Sequence, residues 1–207
     1  MAEIKSSLAF GKFNTVAYKC MESATIFAKT RGNPNVEIIH VLQQVLTLQD
    51  TDVHHILAAF AVNTSKLATD MTAGLERMPR GATGYLNISR SVQTLAEEAW
   101  KYATLMFDQR KVRTGHLLIA MLKTPDLSRQ FLAISGEFAK LKVDQLTDDF
   151  AKIVVKSPEE ALVVEETATG GGAAPGETSG AIAPAAMGKQ EALNKFSTDL
   201  TAKARKG

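Results

Sequence analysis

Apolar residues recur every three or four positions through most of the first 157 residues of this chain. The first run, residues 15–30, places one apolar stripe along a helix. Asn14 ahead of it is a typical N-cap, and Gly32 follows its end. Three further runs before Pro79 predict three more helices. The chain is therefore expected to begin with an all-α, four-helix unit.

The same pattern then starts again after Ser89. The triplet His40-Val41-Leu42 matches His116-Leu117-Leu118, 76 positions later. We predict repeat one at about 13–79 and repeat two at about 88–157. Two copies are too few for a solenoid, so the repeats should pack on each other as one pseudo-symmetric domain. The segment ahead of repeat one has no good match in the second half and forms an N-terminal extension.

The composition changes after Ser157, where Ala, Gly, Thr and Pro become dominant. Such a segment cannot bury enough apolar surface to offset the entropy of ordering it. We predict a domain over 1–157, a flexible Ala/Gly/Pro linker over 158–190, and a polar segment over 191–207. The Glu159-Glu160 pair at the start of this region is interpreted as solvated charge.

The bulk composition excludes several classes of function. A net charge of +2 gives no reason to expect nucleic acid or an anionic membrane as partner. The single cysteine rules out a disulfide within the chain and fits a reducing, cytoplasmic setting. No apolar run reaches the roughly 18 residues of a membrane span, and the first residues lack the pattern of a secretory signal.

The tandem repeat with a His-containing second helix in each half resembles the N-terminal domain of Clp-family AAA+ unfoldases. Five stretches are similar to the ClpV branch, which serves type VI secretion: 13–19, 31–34, 36–40, 97–100 and 112–118. Residues 193–205 look like the lead-in to a first ATPase domain that this chain does not contain. The resemblance implies that the missing rings use ATP and Mg²⁺, and that the whole protein is a hexamer.

The resemblance also implies that this domain selects the substrate, which is the contracted sheath. A groove between the N-terminal extension and the first repeat helix is implied to hold a helix of the large sheath subunit. Small side chains there let a foreign helix approach closely. The candidate partner-helix residues are Leu8, Phe10, Phe13, Val16, Ala17, Cys20, Met21 and Ala24, with Tyr85 and Leu86 as weaker candidates. The alternative is that the extension simply packs on the domain's own core.

The sequence offers no convincing catalytic, cofactor or metal site. The segment 171–178 matches part of a P-loop, but Glu177 stands where Lys must neutralise phosphates. His40 and His116 occupy equivalent positions, which favours a shared structural role, such as a bond to a backbone carbonyl. Cys20 lies on an apolar stripe and is interpreted as a small hydrophobic residue.

The sequence leaves three hypotheses for the function. The first is a binding module that delivers sheath protein to a ClpV-like unfoldase and is itself monomeric. The second is a general Clp N-domain that binds an adaptor or unfolded protein. The third, a small enzyme, requires polar side chains that converge in a pocket.

Overall fold

The computed structural model describes residues 6–82 and 84–169. Helices dominate this part of the chain, and the only paired strands in it are two residues long. The helices are α1 (Ser6–Phe10), α2 (Thr15–Thr30), α3 (Ile38–Thr47), α4 (Asp52–Ala59), α5 (Thr64–Glu76), α6 (Arg90–Phe107), α7 (Thr114–Lys123), α8 (Pro125–Ile134), α9 (Val143–Asp148), α10 (Phe150–Val154) and α11 (Pro158–Thr169). A 3₁₀ helix spans Gly136–Lys140, and the strands are β1 (Asn35–Val36) and β2 (Asn87–Ile88). The all-α prediction is confirmed.

Repeat one consists of α2 to α5, and repeat two of α6 to α10. Asn14 and Ser89 cap the first helix of each repeat, because each side-chain oxygen accepts a backbone N–H three residues on. The last helix of repeat two is divided into α9 and α10 at Asp149. Helix α3 packs on α5 of its own repeat and on α8 of the other, and α7 packs equivalently on α9 and α4.

Two short parallel pairings join the repeats and show their pseudo-twofold relation. Strand β1 pairs with β2, so that Val36 lies opposite Ile88. Phe13 forms the equivalent parallel bridge with Val112. In each pairing, the segment ahead of one repeat's first helix lies beside the segment ahead of the other repeat's second helix. These two pairings fix the orientation of the repeats relative to each other.

At one pair of equivalent places in the core, each repeat packs a large side chain against a glycine. At Gly115, an added Cβ would lie 2.7 Å from a ring atom of Phe150. At the equivalent place in repeat one, Gly74 lies against Ile39, whose Cδ1 atom would be 2.6 Å from an added Cβ. In repeat one the large side chain is on α3 and the glycine is on α5. In repeat two the glycine is on α7 and the large side chain is on α10, so the two roles are interchanged.

Helix α1 is the predicted N-terminal extension. It packs on α6, and Ala9 is fully buried in that contact region. Lys12, just after it, lies 5.4 Å from the ring centre of Trp100 on α6. The extension is thus held on repeat two, although it precedes repeat one in the chain.

The prediction of a linker that begins at residue 158 is wrong, because Pro158–Thr169 is the helix α11. Its first turn is part of the folded domain, and Glu159 is only 1% exposed. Residues 170–207 lie outside the described part of the chain, so the remainder of the predicted linker and the segment 191–207 stay predictions.

Three histidines, His40, His54 and His116, have the same role at helix starts, because each Nδ1 atom accepts the backbone N–H three residues before it. The Nδ1 atom of His40 accepts the backbone N–H of Glu37 at 2.9 Å, and His116 accepts that of Arg113 at 3.2 Å. Burial, and secondly a nearby arginine, lower the pKa of His40 to about 4 and that of His116 to about 3. The shared structural role is confirmed, but the bond is to an amide N–H and not to a carbonyl.

Replacing Gly115 by Ala should destabilise the domain by about 1–3 kcal/mol, because the new methyl group meets the Phe150 ring. Gly74→Ala is the matched control. The atom it displaces is the end of a flexible side chain, and alanine gains roughly 1 kcal/mol of helix propensity. Urea unfolding measures both changes. Equal losses at the two positions would contradict the packing described above.

The free energy of unfolding should fall as the pH drops below about 6.5. The unfolded chain then protonates histidines that the folded domain keeps neutral down to about pH 4 (His40) and about pH 3 (His116). Urea unfolding between pH 7 and pH 5, with NMR titration of the imidazole rings, measures this loss. Ring titration of both residues near pH 6.5 in the folded protein would be inconsistent with their role as buried acceptors.

Candidate functional site

The carboxylate of Glu159 lies where three helix starts converge. Asn14, the N-cap of α2, donates from Nδ2 to Oε2 at 2.8 Å. The first N–H of α4, on Asp52, donates to Oε1 at 3.1 Å, and that of α7, on Thr114, donates to Oε2 at 3.0 Å. The hydroxyl of Thr114 donates to Oε1 as well. Each carboxylate oxygen therefore accepts two hydrogen bonds.

Arg113 forms the second part of this network and is fully buried. It donates two hydrogen bonds to Asp52, from Nε and Nη2, at 2.8 and 2.7 Å. It also pairs with the half-buried Glu160 of α11. Two adjacent glutamates of α11 are thus bound to residues of both repeats.

Opposing effects act on the ionisation of Glu159. Burial, and secondly the neighbouring Asp52 carboxylate, raise the pKa of Glu159, whereas the hydrogen bonds from Thr114 and Asn14 favour the ionised form. The residues that donate to Glu159 and the Arg113–Asp52 pair beside it are all buried. We interpret the network as a structural anchor for α11.

The interpretation of Glu159-Glu160 as solvated charge is wrong. A signal for the correct interpretation was present in Ser157-Pro158-Glu159-Glu160, which has the N-cap, the N1 proline and the first-turn acids of a helix start. The N–H of Glu159 does donate to the Ser157 hydroxyl, at 3.2 Å. Sequence alone could not show that distant donors surround this carboxylate.

The structure brings the candidate partner-helix residues together around α1 and the start of α2, but it buries most of them. Five are in the core and are inaccessible to a partner in this conformation: Phe13, Ala17, Cys20, Met21 and Ala24. The four that lie on α2 form the face of this helix that packs on the domain itself. The predicted close approach of a foreign helix to these small residues is therefore wrong for this conformation.

Three of the candidates remain accessible. Leu8 on α1 is 59% exposed, and Phe10 and Val16 are half-buried. On the outer face of α2, sequence analysis missed Tyr18 and Ile26, which are exposed. It missed them because the apolar stripe of a helix identifies its core face and not the face left to a partner. Leu8, Phe10, Val16 and Tyr18 are called the α1–α2 surface below.

The weaker candidates lie in the inter-repeat loop. Tyr85 is 97% exposed, whereas Leu86 is half-buried and packs against the core. The two residues thus differ in accessibility although they are adjacent.

Cys20 and the histidines give no indication of catalysis. Burial, and secondly Glu159, raise the pKa of the Cys20 thiol to about 12, which disfavours the thiolate. Within residues 6–82 and 84–169, no group of three or more His, Cys, Asp or Glu side chains could hold a metal ion. The same part of the chain contains no helix that is both long and apolar enough to cross a membrane.

Comparisons with known proteins agree with this architecture. The chain is 48% identical over its whole length to the AAA+ ATPase ClpV1 of Pseudomonas aeruginosa, and 41% identical over 204 residues to a chaperone protein ClpB of Yersinia enterocolitica. It spans only 23% and 22% of the length of these two relatives.

Two solved structures have the same fold. One comes from work on the ATPase ClpV, the TssB-TssC sheath and the accessory HsiE protein. It is 46% identical, has a TM-score of 0.74, and covers 77% of this chain and 98% of its own. The other is a complex of a ClpV N-domain with a VipB peptide. It is 22% identical, has a TM-score of 0.67, and covers 77% of this chain and 97% of its own.

The profile of the Clp repeat (R) N-terminal domain matches residues 12–135, which include all of repeat one and the first three helices of repeat two. The match, the two repeats and the fold of the solved structures lead to one conclusion: this chain belongs to the family of Clp N-terminal domains.

Proposed function

We propose that this domain recognises substrate for a ClpV-like unfoldase of a type VI secretion system, by binding a helix of the large sheath subunit. Support comes from the identity to ClpV1 over the whole chain and from the ClpV N-domain that was solved with a VipB peptide. The observation in this chain that carries the proposal is Leu8, which is exposed although its neighbour on the same helix, Ala9, is fully buried.

The accessible apolar edge of the α1–α2 surface suits an amphipathic helix. Leu8 is exposed and Phe10 and Val16 are half-buried, so all three leave apolar area that the apolar face of such a partner can bury. Apolar burial at ~25 cal/mol per Å² gives several kcal/mol, and association and ordering costs offset much of it. We expect micromolar affinity for one domain, increased by avidity in an assembled ring.

The rest of the proposal concerns the whole protein. Because the relatives are AAA+ ATPases about four times as long as this chain, we propose that ATP hydrolysis with Mg²⁺ takes place in domains outside it. We also propose a cytoplasmic hexamer that disassembles contracted sheaths. The domain described here acts as a monomeric binding module and has no catalytic role.

A general Clp N-domain that binds an adaptor or unfolded protein is the second candidate. The 41% identity to a chaperone protein ClpB favours it. It predicts binding to a permanently unfolded protein and indifference to a peptide of the sheath subunit.

Leu8→Asp should weaken binding of a helical peptide from the large sheath subunit by about tenfold or more, because the charge lies in the apolar contact. Leu48→Asp is the matched control, since Leu48 is exposed outside the α1–α2 surface and its replacement should leave affinity unchanged. Isothermal titration calorimetry measures both. The proposal fails if the wild-type domain does not bind the peptide saturably, or if the two variants behave alike.

A further inference from the structure

The pseudo-twofold relation pairs the region that α11 fills with a second region that is open. The filled seam is formed by Asn14, Asp52, Arg113 and Thr114, which surround the two glutamates of α11. The residues 74 to 76 positions away form the equivalent open seam: Ser89, Asp126, Glu37 and Ile38. The two seams have the same helix starts but different occupants.

The path of the chain after the fourth helix of each repeat explains the difference. After α10, the chain enters α11 and crosses the filled seam. After α5, it turns instead toward the end of α2, where Asn33 Nδ2 donates to the Pro79 carbonyl at 2.6 Å and Ala82 N–H donates to the Gly32 carbonyl at 2.9 Å. Repeat one therefore leaves its seam uncovered.

Two adjoining cavities occupy the open seam. One, of about 530 Å³, lies between α6 and α8, and the other, of about 420 Å³, lies between α3, α5 and α8. Gln130 and Ala133 line both, so the cavities share one wall. The apolar lining consists of Ile38, Leu127 and Ile134, and it is suited to the apolar side-chain atoms of a bound peptide segment.

The open seam also presents hydrogen-bond donors at the equivalent positions. In the filled seam, the N–H groups of Asp52 and Thr114 donate to Glu159. Their equivalents are the N–H groups of Asp126 and Ile38, and neither has an acceptor among the described residues. Such first-turn N–H groups favour a carboxylate.

The charges around the open seam define its preference further. Arg77 and Arg90 line the cavities, and neither forms an ion pair with any residue in the described part of the chain. An acidic side chain is therefore favoured beside the open N–H groups. Arg113, which pairs with Glu160, is replaced here by Glu37, so the next position should be basic.

We propose that the open seam is a docking site for the first helical turn of a partner protein, in which Glu is followed by Lys or Arg. The Glu takes the place that Glu159 has in the filled seam, and the basic residue pairs with Glu37. Helix α11 shows what kind of segment such a seam holds. This surface is separate from the α1–α2 surface and does not depend on the function proposed there.

The probe is an N-acetylated peptide with the sequence of residues 157–166 that carries Glu160→Lys, titrated into the ¹⁵N-labelled chain. We expect saturable shifts of the amides of Ile38, Arg90 and Asp126. The unchanged sequence, with its second Glu, should bind several-fold more weakly because Glu37 repels it.

Variants separate the docking site from nonspecific binding. Ala133→Gln places a larger side chain on the wall that the two cavities share, so it should abolish the shifts. Arg90→Gln removes a positive charge from the lining and should weaken binding several-fold. Exposed residues outside the seam, replaced in Ala68→Gln and Arg110→Gln, are matched controls that should change nothing. The proposal is overturned by the absence of saturable shifts, by shifts centred on Asn14 and Thr114 or on α1, by persistence in Ala133→Gln, or by equal affinity of the two peptides.

Discussion

The buried carboxylate of Glu159 fixes the position of α11 on both repeats of this domain. Glu159 accepts hydrogen bonds from the starts of α2, α4 and α7, which belong to both repeats. Each hydrogen bond to a charged group contributes about 1.5–3 kcal/mol, but the cost of removing the charge from water offsets much of the sum. The chief consequence is geometric, because only one position of α11 satisfies all of these donors together.

The anchor also breaks the symmetry of the repeats. The same four-helix unit occurs twice. Equivalent parallel pairings join the two repeats, and a large side chain packs against a glycine at the equivalent place in each. Helix α11 covers one seam and α1 covers one side of α6. The pseudo-equivalent surfaces have no such cover among the described residues. A symmetric scaffold thereby gains two different exposed surfaces, the α1–α2 surface and the open seam.

The sequence predicted the helices and the repeat well, since both depend on local apolar periodicity and capping residues such as Asn14 and Ser89. It predicted the accessibility of the candidate partner-helix residues poorly. The stripe that contains Ala17 and Ala24 is conspicuous because it is the core face, whereas exposed residues such as Leu8 have no periodic signal. Glu159 was misinterpreted because its donors come from as far as 145 positions away, a distance that no local pattern reveals.

The most direct test of this account is the free energy of unfolding of Glu159→Gln beside that of Glu160→Gln. Each oxygen of Glu159 accepts two hydrogen bonds, so the amide must place its NH₂ group against donors in either orientation. We predict a loss of about 2 kcal/mol or more for Glu159→Gln, with faster amide exchange in α11, and a loss below about 1 kcal/mol for the half-exposed Glu160→Gln. Losses of equal size in the two variants, or unchanged exchange in α11, would contradict it.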